Sequence, residues 1–160
     1  MRAVIAFGTN IGDRAKNIED AIASFNLLPK TKVLKISKIY ETKPWGYENQ
    51  ENFYNGVILI ETEFSKQAIL GACLGIESGM GRVRNIKNGP RIIDLDVLFY
   101  ENETSNTDEL MLPHPQILNR VFVLVPLSDI FKNGIAFDYD FNSALKLASK
   151  DDIKEIKLEL

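Results

Sequence analysis

The stretch that decides the fold lies at residues 92–100 and reads IIDLDVLFY. Its β-branched and aromatic side chains favour a strand, and successive side chains of a strand point to opposite faces. Asp94 and Asp96 fall on one face. The other face is apolar and consists of Ile93, Leu95, Val97 and Phe99. The sequence therefore predicts a strand that buries one side and presents two carboxylates on the other.

The segments before this strand alternate between strand-like and helix-like periodicity. In chain order they are a strand at 2–7, a helix that ends at Leu28, strands at 32–40 and 53–61, and a helix capped by Ser65 that ends at Gly79. Together with the strand at 92–100 they give the order β-α-β-β-α-β. The sequence thus predicts an α+β fold, with a ferredoxin-like βαββαβ core whose antiparallel sheet is flanked by helices.

The remaining sixty residues are expected to extend this core with short helices and strands. The predicted elements are a strand at 110–112, helices at 115–119, 125–131 and 143–148, and a closing strand through Ile156, Leu158 and Leu160. The chain shows no internal repeat and no low-complexity linker. We therefore expect residues 1–160 to form a single domain.

Composition and charge exclude several classes of protein. The 19 basic and 22 acidic residues give a net charge of -3, which lacks the basic surplus of a duplex-binding protein. A single cysteine, Cys73, cannot form an intramolecular disulfide, and a single histidine, His114, cannot supply a histidine-rich metal site. The apolar run at 3–7 is too short for a signal peptide. We expect a cytoplasmic monomer with no membrane or nucleic-acid partner.

The two aspartates of the strand at 92–100 suggest a metal site. Side chains two positions apart on a strand lie about 6.6 Å apart along it, so the carboxylates repel each other unless a cation lies between them. Carboxylate oxygens suit Mg²⁺, which keeps its remaining positions for water and phosphate. The alternative is a solvated strand face with two unrelated acids.

A cluster of basic residues directly precedes these aspartates. No acid occurs between 79 and 93, whereas this segment contains Arg82, Arg84, Lys87 and Arg91. The rigid donor fork of arginine binds phosphate oxygens through two hydrogen bonds, and lysine acts as a point charge. The pattern predicts a Mg-nucleotide site that lacks both the Walker and the Rossmann fingerprints. The alternative is that the arginines only pair with Glu77, Asp94 and Asp96.

His114 lies between two prolines, which restrict the backbone and hold the imidazole on a stiff stem. Pro115 can open a helix whose N-terminus, with Arg120 close behind, favours phosphate binding. A structural turn histidine is the alternative.

Two segments, 41–52 and 79–91, are long, polar and punctuated by glycine and proline. Loops of this length are uncommon in compact domains unless they are functional. We expect both to be lids that close over bound ligands, although surface decoration is the alternative.

Seven motifs resemble, in order and approximate spacing, those of the 6-hydroxymethyl-7,8-dihydropterin pyrophosphokinase family. They are GTN at 8–10, YETKPWG at 40–46, FYN at 53–55, GRVR at 81–84, GPRIIDLD at 89–96, PHP at 113–115 and RVF at 120–122. The resemblance covers nearly the whole chain. It implies transfer of diphosphate from ATP to the hydroxymethyl group of a reduced pterin, with release of AMP, in folate biosynthesis.

The resemblance also implies a role for individual residues. Catalytic residues that stabilise charge on the phosphates would be Arg82 and Arg91, and two Mg²⁺ ions would be held by Asp94 and Asp96. Contacts to ATP would come from Arg84, from backbone groups near Val97, and from His114 and Arg120. The pterin pocket would consist of Thr42, Pro44, Trp45, Phe53, Asn55 and Phe122, with the two phenylalanines on either side of the flat ring.

The chain departs from the family pattern at Lys43, Leu74, Asn88 and Met111. Two other functions stay open at this point. One is a ferredoxin-like RNA-binding module, which the aspartates disfavour because they repel phosphate. The other is a nucleotidyl transferase or γ-phosphoryl kinase, since a two-metal site does not decide which phosphorus is attacked.

Overall fold

An antiparallel sheet with helices on both faces organises the computed structural model, which describes residues 1–44, 49–81, 89–158 and 160. Its strands are β1 Arg2–Thr9, β2 Thr31–Ile36, β3 Ile39–Thr42, β4 Phe53–Thr62, β5 Asp94–Tyr100, β6 Ser105–Asn106, β7 Met111–Leu112, β8 Ile135–Ala136, β9 Tyr139–Asp140 and β10 Ile153–Ile156. Its α-helices are α1 Arg14–Leu27, α2 Lys66–Gly79, α3 Val121–Ile130 and α4 Asn142–Leu147, with a 3₁₀ turn at Ile117–Asn119.

The main sheet has the strand order β10-β3-β4-β1-β5, and β2 also pairs with β4. All of these pairs are antiparallel. The crossovers through α1 and α2 place β1 and β4 side by side in the centre, as in the split βαβ arrangement. The predicted α+β class with a ferredoxin-like core is therefore confirmed.

Two hydrophobic layers cover the two faces of this sheet. On one face α1 and α2 pack with Phe25 and Cys73 among their buried residues, and burial raises the pKa of the Cys73 thiol. On the other face α3 packs with Leu124 and Leu127. The predicted cap of α2 is present, because Ser65 accepts a hydrogen bond from the backbone N–H of Ala68.

The predicted strand at 32–40 is wrong as one element, because it is divided into β2 and β3. The division occurs at Ser37, whose N–H donates to the Val57 carbonyl and whose hydroxyl accepts from the Val57 N–H, both at 2.9 Å. The next N–H, that of Lys38, turns away from the sheet and donates to Asp129 Oδ2 at 3.2 Å. β2 consequently pairs with the C-terminal half of β4, and β3 pairs with the N-terminal part of β4.

The predicted alternation along β5 is correct up to Val97 and wrong for Phe99. Val4 pairs with Phe99 and Ile5 with Val97, so that Leu98 is an extra residue in a β-bulge. Phe99 therefore packs with Leu98 in the layer beneath α3 instead of beneath α1 and α2. Both faces are buried here, so hydrophobicity alone gives no signal of the change.

The C-terminal elements follow the prediction in kind, with shifted bounds. The helix predicted at 125–131 begins at Val121, and Pro126 lies inside it, where it lacks the N–H that would donate to the Phe122 carbonyl. The closing strand is Ile153–Ile156 rather than the predicted Ile156, Leu158 and Leu160. The bounds of this closing strand, β10, follow from its pairing with β3, which offers only four positions. No helix in the described ranges is long and apolar enough to cross a membrane.

Candidate active site

A cavity of about 620 Å³ opens beside the central strands of the sheet. Its walls come from β1, β3, β4, the start of β5 and the segment at 114–123. The predicted site residues that line it are Thr42, Phe53, Asn55, Arg91, Asp94, Asp96, His114, Arg120 and Phe122. Residues predicted from four separate parts of the sequence thus meet around one cavity.

The other predicted site residues differ in their placement. Pro44 is half-buried and does not line the cavity. The Val97 side chain packs in the layer beneath α1 and α2, so that a contact to a ligand could come only from its backbone. Trp45, Arg82 and Arg84 lie outside the described residues, and their predicted roles stay predictions.

One end of the cavity is charged. Asp94 and Asp96 lie opposite Gly8 and Ala6 of β1, and both side chains reach the cavity. Arg91 Nη1 lies 3.1 Å from Asp94 Oδ2. Arg120 Nη1 lies 3.8 Å from Asp96 Oδ2. The pairing of arginine with aspartate that the sequence left open is therefore present, and it coexists with the placement of all four groups around the cavity.

The donor set of Asp94 and Asp96 restricts which metal ion this site could hold. Within the described part of the chain, no cluster of three or more histidine, cysteine, aspartate or glutamate side chains could hold a metal. A structural zinc or calcium site needs more protein ligands than two carboxylates. Mg²⁺ is commonly held by one or two carboxylates together with substrate phosphates and water, so this donor pair fits Mg²⁺.

His114 faces the same end of the cavity in a fixed orientation. Its backbone N–H donates to the Leu98 carbonyl at 2.9 Å, and its Nδ1 accepts from the Gln116 N–H at 3.1 Å. Burial, together with the neighbouring Arg120, lowers the pKa of His114. The imidazole is therefore neutral at neutral pH with its proton on Nε2, which makes it a hydrogen-bond donor.

The other end of the cavity is aromatic and contains one buried amide. Asn55 Nδ2 donates to Thr42 Oγ1 at 2.6 Å, across the register in which Thr42 pairs with Phe53. A Cβ added to Gly8 would lie 2.7 Å from Asn55 Oδ1, so the glycine leaves room for this amide. Phe53 and Phe122 complete the wall. The arrangement provides flat apolar faces and one oriented amide.

Sequence reasoning missed the role of Asn10, which is 2% exposed. Its Oδ1 accepts from the Arg91 N–H at 2.8 Å, and its N–H donates to the Arg91 carbonyl at 3.0 Å. Its Nδ2 donates to Gln50 Oε1 and to the Glu51 carbonyl. A polar residue directly after a buried strand was the available signal. The cavity wall also includes Lys43, Gln116 and Asn119, which were not predicted as site residues.

Comparison with known sequences gives consistent matches. Residues 4–132 match the family model for 7,8-dihydro-6-hydroxymethylpterin-pyrophosphokinase (HPPK). The chain is 42% identical over 129 residues to a 2-amino-4-hydroxy-6-hydroxymethyldihydropteridine pyrophosphokinase of Methylorubrum extorquens. The aligned residues cover 81% of this chain and 82% of the relative. It is 41% identical to the Bacillus subtilis protein of the same name, over 80% of this chain and 77% of that one. It also shares 42% identity with the folic acid synthesis protein fol1 of Schizosaccharomyces pombe, over 78% of this chain and 17% of that protein.

Solved structures give the same fold. Plasmodium falciparum HPPK-DHPS with pteroate superposes with a TM-score of 0.72 at 16% identity, over 98% of this chain and 48% of that chain. An HPPK-DHPS in complex with substrates gives a TM-score of 0.65 at 18% identity, over 91% of this chain and 43% of that chain. This chain thus spans less than half the length of those two solved chains. With the fold, the cavity and the sequence matches in agreement, the chain belongs to the 7,8-dihydro-6-hydroxymethylpterin-pyrophosphokinase family.

Proposed function

We propose that this cavity is where the chain transfers diphosphate from MgATP to the hydroxymethyl group of 6-hydroxymethyl-7,8-dihydropterin, which gives the pterin diphosphate and AMP. Membership of the family supplies the reaction and its place in folate biosynthesis. The single observation that carries the assignment to the cavity is that its wall combines charged side chains, among them Arg91 and Asp94, with the aromatic side chains of Phe53 and Phe122.

The charged end suits the triphosphate of ATP. Asp94 and Asp96 would hold Mg²⁺, in our proposal as two ions, and the bound metal neutralises charge on the phosphates. Arg91 and Arg120 each lie beside one of these carboxylates and can also donate to phosphate oxygens. His114 can donate from Nε2 to the nucleotide. We assign Arg82 and Arg84 to the same phosphates on the family resemblance alone.

The aromatic end suits the pterin. Its flat ring would stack between Phe53 and Phe122, and stacking of this kind needs no charge on the ring. Because Thr42 accepts one Asn55 N–H, the Asn55 amide has a fixed orientation, with its oxygen free of that bond and able to accept from the edge of the heterocycle. Pro44 and Trp45 stay proposed members of this pocket.

The reaction follows from holding both substrates in one cavity. The hydroxymethyl oxygen of the pterin attacks the β-phosphorus and loses its proton to solvent, the bond between the β-phosphorus and the bridging oxygen breaks, and AMP leaves with that oxygen. Arginine donors near the transferred group stabilise the charge that develops in the transition state. Exclusion of water by the aromatic wall favours the pterin hydroxyl as the nucleophile over hydrolysis.

Product analysis tests this function. The protein is incubated with ATP, Mg²⁺ and 6-hydroxymethyl-7,8-dihydropterin, and the nucleotide product is measured. We expect AMP and the pterin diphosphate in equal amounts. ADP would contradict the proposal in favour of a γ-phosphoryl kinase, and free diphosphate with an adenylylated pterin would contradict it in favour of nucleotidyl transfer. Absence of turnover together with tight RNA binding would contradict it in favour of an RNA-binding module.

We also propose that the protein is a monomeric single domain over residues 1–160 and acts in the cytoplasm without nucleic-acid partners. The net charge of -3 and the coverage of both sheet faces by helices support these expectations.

A further inference from the structure

Strand β10 lies beyond the residues that match the family model, which end at 132. It forms the edge of the main sheet and pairs with β3 in four positions. Ile153 lies opposite Thr42, and Ile156 lies opposite Ile39. The C-terminal segment thus reaches the strand that carries one wall of the cavity.

On its other side β3 has few backbone partners, although the Tyr40 hydroxyl also donates to Asp129 of α3. β3 contains four residues and pairs with β4 in only three positions, because β2 pairs with the C-terminal half of β4. A strand this short contributes few ladder hydrogen bonds, and an edge strand has them on one side only. With β10 in place, β3 becomes an interior strand, and the number of residue pairs that it forms with neighbouring strands rises from three to seven.

The position of β3 determines the shape of the aromatic end of the cavity. Thr42, the last residue of β3, pairs with Phe53 and accepts the hydrogen bond that orients the Asn55 amide. Lys43, the next residue, also lines the cavity. A displacement of β3 would therefore move Thr42 and release Asn55, whereas Asp94 lies on β5, at the other end of the strand order, and Arg91 lies in the segment just before β5.

Two ion pairs connect β10 and its preceding turn to the region of β3. Lys43 Nζ lies 3.0 Å from Asp152 Oδ1, and Lys38 Nζ lies 3.4 Å from Glu155 Oε1. All four side chains are largely exposed, so these pairs add little stability. They lie on either side of the paired positions and favour this register over a shifted one.

We propose that β10 is a positioning element for the acceptor-substrate half of the cavity: it holds β3 so that Thr42 and Asn55 are set for the pterin. This inference rests on the proposed function, in which the pterin occupies the aromatic end. It adds that affinity for the pterin depends on residues outside the family-matched part of the chain. Binding of ATP is independent of β10, because β10 pairs with β3 and with no strand of the charged end.

The test weakens β10 in the full-length protein. The double substitution Lys154→Pro and Glu155→Pro removes two consecutive N–H groups, one of which faces β3 in an antiparallel ladder. The matched control is Lys157→Pro, which lies just beyond β10. Calorimetry measures binding of the pterin in the presence of a non-hydrolysable ATP analogue, and binding of the analogue alone.

We expect the double variant to bind the pterin about tenfold more weakly, as follows if β3 holds its competent position for about a tenth of the time. Binding of the ATP analogue should change less than about twofold, and the control should match the wild type. Unchanged pterin affinity, or equal losses for both ligands in a folded protein, would overturn the proposal. If the wild type itself binds no pterin, the proposed function fails instead.

A second variant covers loss of folding in the proline variant. Ile153→Gly with Ile156→Gly keeps every backbone N–H and removes the partly buried side chains of β10. Thermal unfolding first establishes that this variant is folded. The same selective loss of pterin affinity is expected, and equal affinity for the pterin in this variant and the wild type would overturn the proposal.

Discussion

The two aspartates at the start of β5 are the residues on which the proposed chemistry of this cavity depends most. We expect Asp94→Asn and Asp96→Asn each to lower kcat on the order of 10²-fold or more, because each change keeps the size of the side chain and removes a charge that would hold Mg²⁺. The fold should survive, since both side chains face the cavity. Steady-state kinetics at saturating Mg²⁺ and thermal unfolding check the two statements.

Asp108→Asn, in an exposed turn, is the matched control for charge removal. Near-normal turnover in Asp94→Asn or Asp96→Asn would show that the carboxylates do not bind the metal. A large fall in melting temperature in either variant would instead give the carboxylate a structural role.

The aromatic end gives a prediction about binding of the pterin rather than about turnover. We expect Phe53→Ala and Asn55→Ala to weaken pterin binding by about 1 to 3 kcal/mol, from lost stacking and lost edge recognition, with little effect on ATP. Tyr54→Phe is the control, because Tyr54 is the intervening residue of β4 and contacts Arg14 away from the cavity. Calorimetry with each ligand measures the difference, and equal losses for ATP and pterin would place both residues outside the pterin pocket.

His114 gives a prediction about stability and pH. Its folded-state pKa lies below the usual value of 6.5 because the ring is buried and Arg120 is close. The unfolded chain therefore takes up a proton at higher pH than the native protein does. The contribution to the free energy of unfolding is fully present above pH 6.5 and is lost as the pH falls toward the lowered pKa.

His114→Gln should remove this dependence. His114 is the only histidine in the chain, so no other side chain with a usual pKa in this range complicates the comparison. Urea unfolding between about pH 5 and 7.5 should show a shallower decline in the variant than in the wild type. A steeper decline in the variant would contradict the assigned direction of the pKa shift.

At the scale of elements, the strands and helices with strong periodicity could be predicted, and the interruptions could not. β1, β4, α1 and α2 follow from apolar spacing and from a cap such as Ser65. The division between β2 and β3 depends on the Ser37 hydroxyl bonding to Val57, and the bulge at Leu98 depends on pairing with β1. Both are contacts between residues far apart in sequence, which local periodicity does not contain.

The contact between α3 and β3 gives a prediction at this scale. Asp129 Oδ2 accepts from the Tyr40 hydroxyl at 2.7 Å and from the Lys38 N–H at 3.2 Å, so that one carboxylate fixes both the strand and the break before it. Asp129→Ala should lower the free energy of unfolding by about 1 to 3 kcal/mol, because two donors lose their acceptor. Urea unfolding beside Asp108→Ala checks this, and a loss no larger than that of the control would show that water replaces the carboxylate without cost.

At the scale of the molecule, the cavity is lined by residues that are far apart in sequence, and the sequence gave no indication that they lie close together in space. Asp94 and Asp96 could be predicted as a pair because strand geometry is local. The meeting of Arg120 with Asp96 required the tertiary fold, and Lys43 was first noted only as a departure from the family pattern. The hydrogen bonds of Asn10 to Arg91 and Gln50 were not predicted for the same reason, because both partners are distant from Asn10 in sequence.

Asn10 also constrains the prediction that the segments at 41–52 and 79–91 close as lids. It holds the backbone of Arg91 through two hydrogen bonds and bonds to Gln50 and Glu51, so that the ends of both segments are joined. Residues 45–48 and 82–88 lie outside the described residues, and closure stays a prediction. Because Asn10 holds its backbone, we expect Arg91 to act through its side chain, which contacts Asp94 in this structure and would donate to a phosphate once ATP is bound.

Arg91→Ala should therefore lower kcat by about 10² to 10³-fold and change the KM for ATP much less, because in the proposed function the guanidinium would donate most strongly to charge that develops in the transition state. Arg2→Ala is the matched control, since that arginine pairs with Glu101 away from the cavity.

Hydrogen exchange gives an independent measurement of closure at the scale of the molecule. Amides at 81–90 should gain protection only when the ATP analogue and the pterin are both bound. If Arg91→Ala changes KM alone, or if these amides are equally protected without ligands, the segment is a fixed binding surface, and the joined ends at Asn10 serve stability rather than closure.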